Sequence, residues 1–320
     1  TLQRPQDEVA EQLAMTDLTE RAGNETIETW IAQNQAALDT VVAASERAHL
    51  WTPVVRSEER GLIMPALSAD RLTVVTNALA TRAEIARTQG RLAEGWRDAE
   101  VLLRLHDLTA AQPGVVSRMV ACSFHRLGIE WLERLLSENR PDLVLCTQII
   151  ARLGGLPPVR SIRTDLDQYE RYMTLDGLVT NAGDATAVGL NPALREINRT
   201  FDAAVALFDE EDAGLFERVR SFVSTRQSEV KRISKELQGT AGKLQAWAEV
   251  VASGGAHASR LSGQIVSATA LSPLHLVLQT VRKVEVQRRT LLVAAGLRLH
   301  LSLIHISEPT RRRLESRVAE

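Results

Sequence analysis

Lysine and aromatic residues are both scarce in this chain of 320 residues. Only four of the 38 lysines and arginines are lysine, a ratio typical of GC-rich codon usage rather than of a phosphate or nucleic-acid site. Aromatic residues make up 4% of the chain, while alanine and leucine are plentiful. This composition favours helices, because sheets prefer β-branched and aromatic side chains.

Cysteine is equally rare, since Cys122 and Cys146 are the only two and no CxxC pair exists. Their apolar neighbours indicate small core residues and leave the redox compartment open. No stretch reaches the roughly 18 uncharged apolar residues typical of a membrane-spanning helix. Because the chain begins with threonine, we expect any N-terminal signal or anchor to be missing from it.

Charge is nearly balanced overall at −2 but uneven along the chain. The first 60 residues are rich in acid, whereas residues 282–320 are basic. Glu285 interrupts the basic stretch and no aromatic residues interleave with it, so the pattern predicts a solvated helix face and no nucleic-acid partner.

Helical periodicity dominates the first half of the chain. Residues 1–23 are predicted to be a flexible acidic segment, and residues 24–50 one amphipathic helix. Residues 51–68, with three prolines or glycines, predict an irregular connection, and no strand pattern occurs before residue 300.

Residues 24–158 are predicted to form a helical array. Its main part consists of four antiparallel helices separated at Gly90, Pro113 and Pro141, and the last one ends at Gly154. The opening pair resembles a tetratricopeptide hairpin, although no copy recurs at a fixed period. The predicted class is therefore all-α, an irregular antiparallel array with tetratricopeptide-like hairpins.

Residues 159–213 form a predicted middle segment. One helix covers TDLDQYERYMTLDGLVTNAG, with Leu166, Tyr169 and Met173 facing inward and Tyr172 as a further inward candidate, and a second begins at Asn191–Pro192.

A long helical hairpin is predicted for residues 214–301. Its first helix, over residues 214–252, is expected to pair with a helix near residues 273–299 through a seven-residue repeat of apolar positions. The seam consists of Phe216, Val223, Val230, Leu237, Leu244 and Val251. The sequence leaves open whether this seam pairs within one chain or between chains.

The strongest catalytic candidate is a carboxylate and tyrosine cluster. It consists of Asp165, Asp167, Tyr169, Glu170 and Tyr172. Paired carboxylates serve as acid and base when their surroundings separate their pKa values. The structural interpretation is stronger, because Asp165 suits the start of a helix with Thr164 as its cap, and tyrosines often pack at a core edge.

Two further sequence patterns do not meet the requirements of a phosphate loop or a zinc site. Gly239–Lys243 reads GTAGK, but its glycines are three apart and Leu244 follows the lysine, so it is not a phosphate loop. Cys122 and His125 lie three apart, with His106 as the nearest third candidate, which falls short of a zinc site. We therefore predict no metal and no cofactor.

Three stretches resemble an uncharacterised bacterial family of helical proteins. They are WIAQNQAALDTVVAASERAHL, GRLAEGWRDAEVLLRLHDLTAAQPGVVSRMVACSFHRLGIEWLERLL and YERYMTLDGL. The resemblance covers roughly residues 26–300 and rests on packing motifs, so it identifies no catalytic residues in this chain. It implies a cell-envelope protein that is anchored by an N-terminal helix absent from this chain and is otherwise soluble.

The resemblance stops at SLIHISEPTR, residues 302–311. Residues 302–320 resemble the translation of a sequencing adapter at the end of an assembled metagenomic read. We therefore expect the chain to be a fragment with an artefactual tail that carries no functional residue.

These observations predict a non-enzymatic helical scaffold, or protein–protein interaction module, of the bacterial cell envelope. Its partners are expected to be proteins. The alternative is an enzyme or small-ligand-binding protein that uses the 165–172 cluster.

Overall fold

The computed structural model describes residues 17–50, 55–57, 61–63, 69–138, 141–156, 161–182, 187–210, 213–236 and 255–318, with three isolated positions before residue 17. For residues 302–318 the description is confined to the backbone. The fold is all-α, as the composition predicts. In chain order the helices are α1 (Leu18–Ala22), α2 (Glu25–Gln33), α3 (Gln35–Ser45), α4 (Ala69–Thr88), α5 (Leu92–Ala110), α6 (Val115–Glu138), α7 (Leu143–Gly154), α8 (Arg171–Ala182), α9 (Ala187–Ala206), α10 (Leu215–Glu236), α11 (Gly255–Leu271) and α12 (Leu274–Val318).

Helices α4 to α7 begin and end close to the predicted breaks. Gly90 adopts a φ of 75°, and the backbone N–H of Arg91 bonds to the carbonyl of Ala86 while that of Gly90 bonds to Arg87. These two bonds form the glycine C-cap that commonly ends a helix. The local chemistry of one glycine therefore ends α4 where the sequence indicates.

Three local predictions were wrong. Strands β1 (Val55–Ser57) and β2 (Gly61–Ile63) pair antiparallel within the segment that was expected to be irregular. The predicted helix over residues 24–50 is divided at Asn34, whose side chain donates to the Trp30 carbonyl at 2.9 Å and so competes with the helix ladder. Helix α1 is ordered and packed, with Leu18 only 1% exposed, inside the segment that was predicted to be flexible.

Helix α9 begins before Asn191–Pro192, so the predicted start was also wrong. Pro192 lies inside the helix and cannot donate a backbone bond to the preceding turn. The next N–H, of Ala193, donates to the Ser259 hydroxyl of α11 at 3.2 Å. Tertiary packing therefore supports a helix turn that the local sequence disfavours.

Helix α11 packs most extensively against α9 at a close crossing. A Cβ added to Gly263 would lie 2.5 Å from the Ala193 carbonyl oxygen, so only glycine allows the two backbones to approach this closely. Helix α10 packs against both α11 and the start of α12. The predicted pairing with one helix near residues 273–299 is therefore incomplete, because α10 also packs against α11, and a turn at residues 272–273 separates α11 from α12.

Three main apolar cores follow one another along the molecule. The first joins α1–α6 around Ile27 and Leu102, and the second joins α4–α7 around Trp131. The third joins α8–α11 and the start of α12 around Phe201. Helix α12 enters both of the last two cores, and α7 packs chiefly against α12 rather than α6.

One stretch of the described chain is long and apolar enough to span a membrane by length and composition. It covers Ser259–Leu301, with a mean hydropathy of 1.3, and 56% of its apolar window is buried inside the protein. It was not predicted from the sequence, because serine, glutamine and threonine interrupt its apolar residues.

Candidate functional site

The candidate cluster lies on a π-helical segment, Asp165–Glu170, that leads directly into α8. The backbone N–H of Arg171 bonds to the Leu166 carbonyl, the i to i+5 pattern of a π-helix. Thr164 makes no side-chain capping bond. The expectation of a Thr164 cap at an ordinary helix start was therefore wrong.

Asp165 forms a buried ion pair with Arg118 of α6. The Arg118 Nε donates to Asp165 Oδ2, and the two side chains are 3% and 2% exposed. Arg118 also donates through Nη2 to the Ser161 carbonyl at 3.4 Å. Removing only one partner of such a buried pair lowers the free energy of unfolding by about 3–5 kcal/mol, because the other charge is left without its partner. Asp165 therefore fastens the π-helical segment to α6.

Glu170 bonds to the N-terminus of the same helix. Its Oε1 accepts the Val115 backbone N–H at 2.7 Å, so a carboxylate from another element caps α6. Burial raises the pKa of Glu170, and the nearby Asp165 charge raises it further, while the bond from Val115 opposes both effects.

Tyr169 packs over the glycine that precedes α6. Gly114 has a φ of 100°, and a Cβ at this position would lie 2.7 Å from the Tyr169 ring. Burial raises the pKa of Tyr169, and the neighbouring Glu170 adds to that effect. Tyr169 is therefore a packing residue held against the start of α6, facing inward as predicted.

The other two cluster residues lie outside this arrangement. Tyr172 is 62% exposed, so the prediction that it faces inward was wrong. Asp167 is exposed and pairs with Arg171 at 2.8 Å, and Arg171 also contacts Asp202 of α9 at 2.8 Å. The fold thus brings together Asp165, Tyr169 and Glu170 and separates them from Asp167 and Tyr172.

A second buried titratable group lies between α5 and α6. The His106 and His125 rings meet edge to face at 5.0 Å, and His125 is 1% exposed. Within the described chain, neither ring nitrogen of His125 has a hydrogen-bond partner. The pKa of His125 is lowered to about 3, mainly by burial and then by the neighbouring His106 and Arg288, while Asp107 opposes the shift.

The surroundings of this pair do not form a metal centre. His106 Nδ1 lies 3.1 Å from Asp107 Oδ1, and Asp107 pairs with Arg152 of α7 at 2.5 Å. Burial raises the pKa of the Cys122 thiol to about 11. Among the described residues, no group of three histidine, cysteine or acidic side chains is arranged to hold a metal ion.

Buried arginines elsewhere also serve the fold. Glu84 of α4 is fully buried and pairs with Arg87 at 2.8 Å, while Arg134 of α6 lies 3.7 Å away. Arg134 also pairs with Asp17 at 2.9 Å, and this contact attaches the N-terminal residues to α6.

The predicted apolar seam is partly visible on α10. Val223 is 3% exposed, Val230 packs against Leu261 and Ile265 of α11, and Phe216 is partly buried in the third core. These contacts lie within one chain. The remaining seam residues, Leu237, Leu244 and Val251, lie outside the described residues.

A different apolar stripe lies exposed on α12 and was not predicted from the sequence. We call Val286, Val293, Leu297 and Leu301 the α12 stripe; their exposures are 63%, 63%, 59% and 48%. The available signal was a seven-residue spacing from Val286 to Val293, which the apolar residues on the opposite side of the same helix obscure.

Comparisons with known proteins identified no relative of this chain. No protein-family model matches the chain, and no curated protein or solved structure matches it.

Proposed function

We propose that this chain is a non-enzymatic helical scaffold that binds other proteins. The observation that carries the proposal is the use of the cluster's polar groups. Asp165 bonds to Arg118, Glu170 bonds to the Val115 N–H, and the Tyr169 ring packs against Gly114. Each contact joins the π-helical segment to α6, so these side chains support the fold rather than a substrate.

The remaining cluster residues support the same proposal. Asp167 is exposed and bonds to Arg171, which in turn reaches α9, and Tyr172 points into solvent. General acid–base catalysis needs a titratable side chain within hydrogen-bond reach of the substrate atom that gains or loses the proton. The arrangement instead suits a rigid body whose outer surface is free to bind partners.

We place this scaffold at the bacterial cell envelope. The support is the resemblance to a family whose members carry an N-terminal membrane anchor. A helical array with abundant interhelical ion pairs suits such a role, because a rigid body presents an extended surface to partner helices or peptides.

Proximity labelling in bacterial cells tests the proposal. The full chain, fused to a labelling enzyme and directed to the envelope, should mark a reproducible set of proteins. A variant with Asp167→Asn and Tyr172→Phe should mark the same set, because neither residue serves the fold's interior. Diffuse labelling that matches an unrelated envelope-directed helical protein would contradict the proposal.

The second candidate function is a small-ligand site at the π-helical segment. A π-helical turn often marks a functional site, and here it carries Glu170, a partly buried carboxyl whose pKa is raised. Native mass spectrometry of the purified chain with a metabolite extract tests it. A retained small molecule that is lost in a folded Glu170→Gln variant would favour this candidate over the scaffold.

A further inference from the structure

Helix α12 presents two different apolar sides. Leu291 and Ala295, which are 3% and 0% exposed, pack into the second core. Val293 lies two residues from each of them, a rotation of about 200° around the helix, and it is 63% exposed. The α12 stripe therefore lies on the side of the helix that faces away from the protein.

The exposed side has the spacing of a coiled-coil seam. Its residues alternate at separations of three and four, and all of them are exposed. They are Lys283, Val286, Thr290, Val293, Leu297 and His300. A seam of this width accommodates one partner helix, whereas a lipid surface requires a broader apolar face, usually with aromatic residues. The apolar residues on this side of α12 are valines and leucines, and Lys283, Thr290 and His300 separate or flank them.

Charge beside the seam restricts the partner. Arg282 and Arg289 occupy successive positions on one flank, and both are exposed. Glu285, the only carboxylate between residues 274 and 301, already bonds to Arg289 at 2.7 Å. That pair is solvent-exposed on the arginine side, so its contribution is small and easily exchanged.

A second copy of this chain fits the seam poorly. An antiparallel copy would place the arginine flank opposite another arginine flank, where like charges repel. A parallel copy would place the arginines opposite the other flank, which carries Gln287 and Ala294 and offers no carboxylate. The complementary partner is a helix with acidic residues beside its apolar seam.

We infer that the exposed side of α12 binds an amphipathic helix of another protein whose flanks carry glutamate or aspartate. This inference rests on the proposed scaffold function and names the class of partner. The valines and leucines supply the buried contact, and the arginines set the orientation and select against basic helices.

Two synthetic peptides of about four heptads test the inference on the full chain. Both carry valine and leucine at the seam positions, and one has glutamate and the other lysine at the flanking positions. Fluorescence anisotropy should show the acidic peptide binding at least roughly tenfold more tightly, with the preference weakening as salt rises. Equal binding of both peptides, or no binding of either, would overturn the inference.

Matched variants locate the binding site. Val293→Asp should abolish peptide binding, whereas Val144→Asp, on an equally exposed valine of α7, should not. Arg282→Glu with Arg289→Glu, which reverses the charge of the flank, should reverse the preference toward the lysine peptide. Arg126→Glu with Arg220→Glu changes net charge equally on other helices and should leave the preference intact.

Two further measurements test whether a second copy of the chain or a lipid surface covers this side of α12. A dimer detected by light scattering and dissociated by Val293→Asp would overturn the inference in favour of a second copy. Binding to phosphatidylglycerol vesicles that is lost in Val293→Asp, without peptide binding, would overturn it in favour of a lipid surface. If labelling in cells recovers partners while neither peptide binds, the scaffold proposal stands and this inference fails; if labelling is diffuse, the scaffold proposal fails.

Discussion

Two groups of titratable side chains pack against α6, and they differ in whether these side chains have hydrogen-bond partners. In the acidic centre, formed by Arg118, Asp165 and Glu170, both carboxylates accept hydrogen bonds from α6. In the histidine centre, formed by His106 and His125, the buried His125 ring has no hydrogen-bond partner among the described residues.

The difference shows that burial has opposite consequences for paired and unpaired groups. Asp165 and Arg118 are buried together as an ion pair, so removing either one would leave the other buried without its partner. His125 stays neutral because charging it would require a proton on a desolvated ring near Arg288. The acidic centre is stabilised by its hydrogen bonds to α6, whereas the histidine centre is stable only while His125 is neutral.

Removing Asp165 should have the largest effect. Asp165→Ala leaves the Arg118 charge buried without its carboxylate, so we expect the free energy of unfolding to fall by about 3–5 kcal/mol. Urea denaturation followed by circular dichroism measures it. The matched control is Asp167→Ala, which breaks an ion pair of an exposed carboxylate and should cost at most about 1 kcal/mol. Similar losses in both variants would contradict the structural role of the Arg118 pair.

The second-largest effect should be a loss of stability in acid that comes from the histidine centre. The pKa of His125 falls from 6.5 in the unfolded chain to about 3 in the folded one, so the unfolded state binds the extra proton as pH drops below 6.5. This group should therefore reduce stability by up to about 1.4 kcal/mol per pH unit between pH 6.5 and about 3, and should have no effect above pH 6.5.

The variant His125→Leu separates this effect from other acid-sensitive groups. Urea titrations at pH 7.5 and pH 4.5 should show near-equal stability of the two proteins at the higher pH. At the lower pH the variant should be more stable by roughly 2–3 kcal/mol. An unchanged difference across the two pH values would show that His125 does not titrate on unfolding.

A methyl group at Gly114 should disturb the acidic centre indirectly. Gly114→Ala requires a side chain at a φ of 100° and places its Cβ against the Tyr169 ring, so we expect a loss of about 1–3 kcal/mol. Gly90→Ala is the control, because Gly90 also has a positive φ but nothing lies within 4 Å of the added Cβ. Thermal unfolding should therefore rank Gly90→Ala as the milder change.

Neutralising Glu170 should have the smallest effect and the opposite pH dependence to His125. Its pKa is raised in the folded protein, so its ionised form is disfavoured at neutral pH and this penalty disappears as pH falls through the folded pKa. Glu170→Gln keeps an oxygen for the Val115 N–H. We expect a gain of at most about 1 kcal/mol at pH 7 that vanishes in acid. A loss at pH 7 would mean that the charge itself stabilises α6.

Local chemistry made the ends of α4 to α7 predictable. Gly90, Pro113 and Pro141 act within a few residues of their own positions, and the observed helices end or begin beside them. The inward face of Leu166 and Tyr169 was predictable for the same reason, because a helical period relates neighbours along the chain. The α2–α3 break was not, since it depends on one bond from Asn34.

The roles of the cluster residues required the tertiary structure. Asp165 was interpreted as an acidic residue at a helix start, but its partner Arg118 lies 47 residues away and no local pattern connects them. Glu170 likewise caps a helix 55 residues earlier in the chain.

By itself, the amino-acid sequence determined that this protein is helical and where its central helices begin and end, because helix propensity, glycine caps and proline act over a turn or two. Only the tertiary structure decided which charged groups are buried together and which side of α12 faces solvent. The physical reason is distance along the chain: burial and ion pairing depend on residues that meet only once the helices have packed.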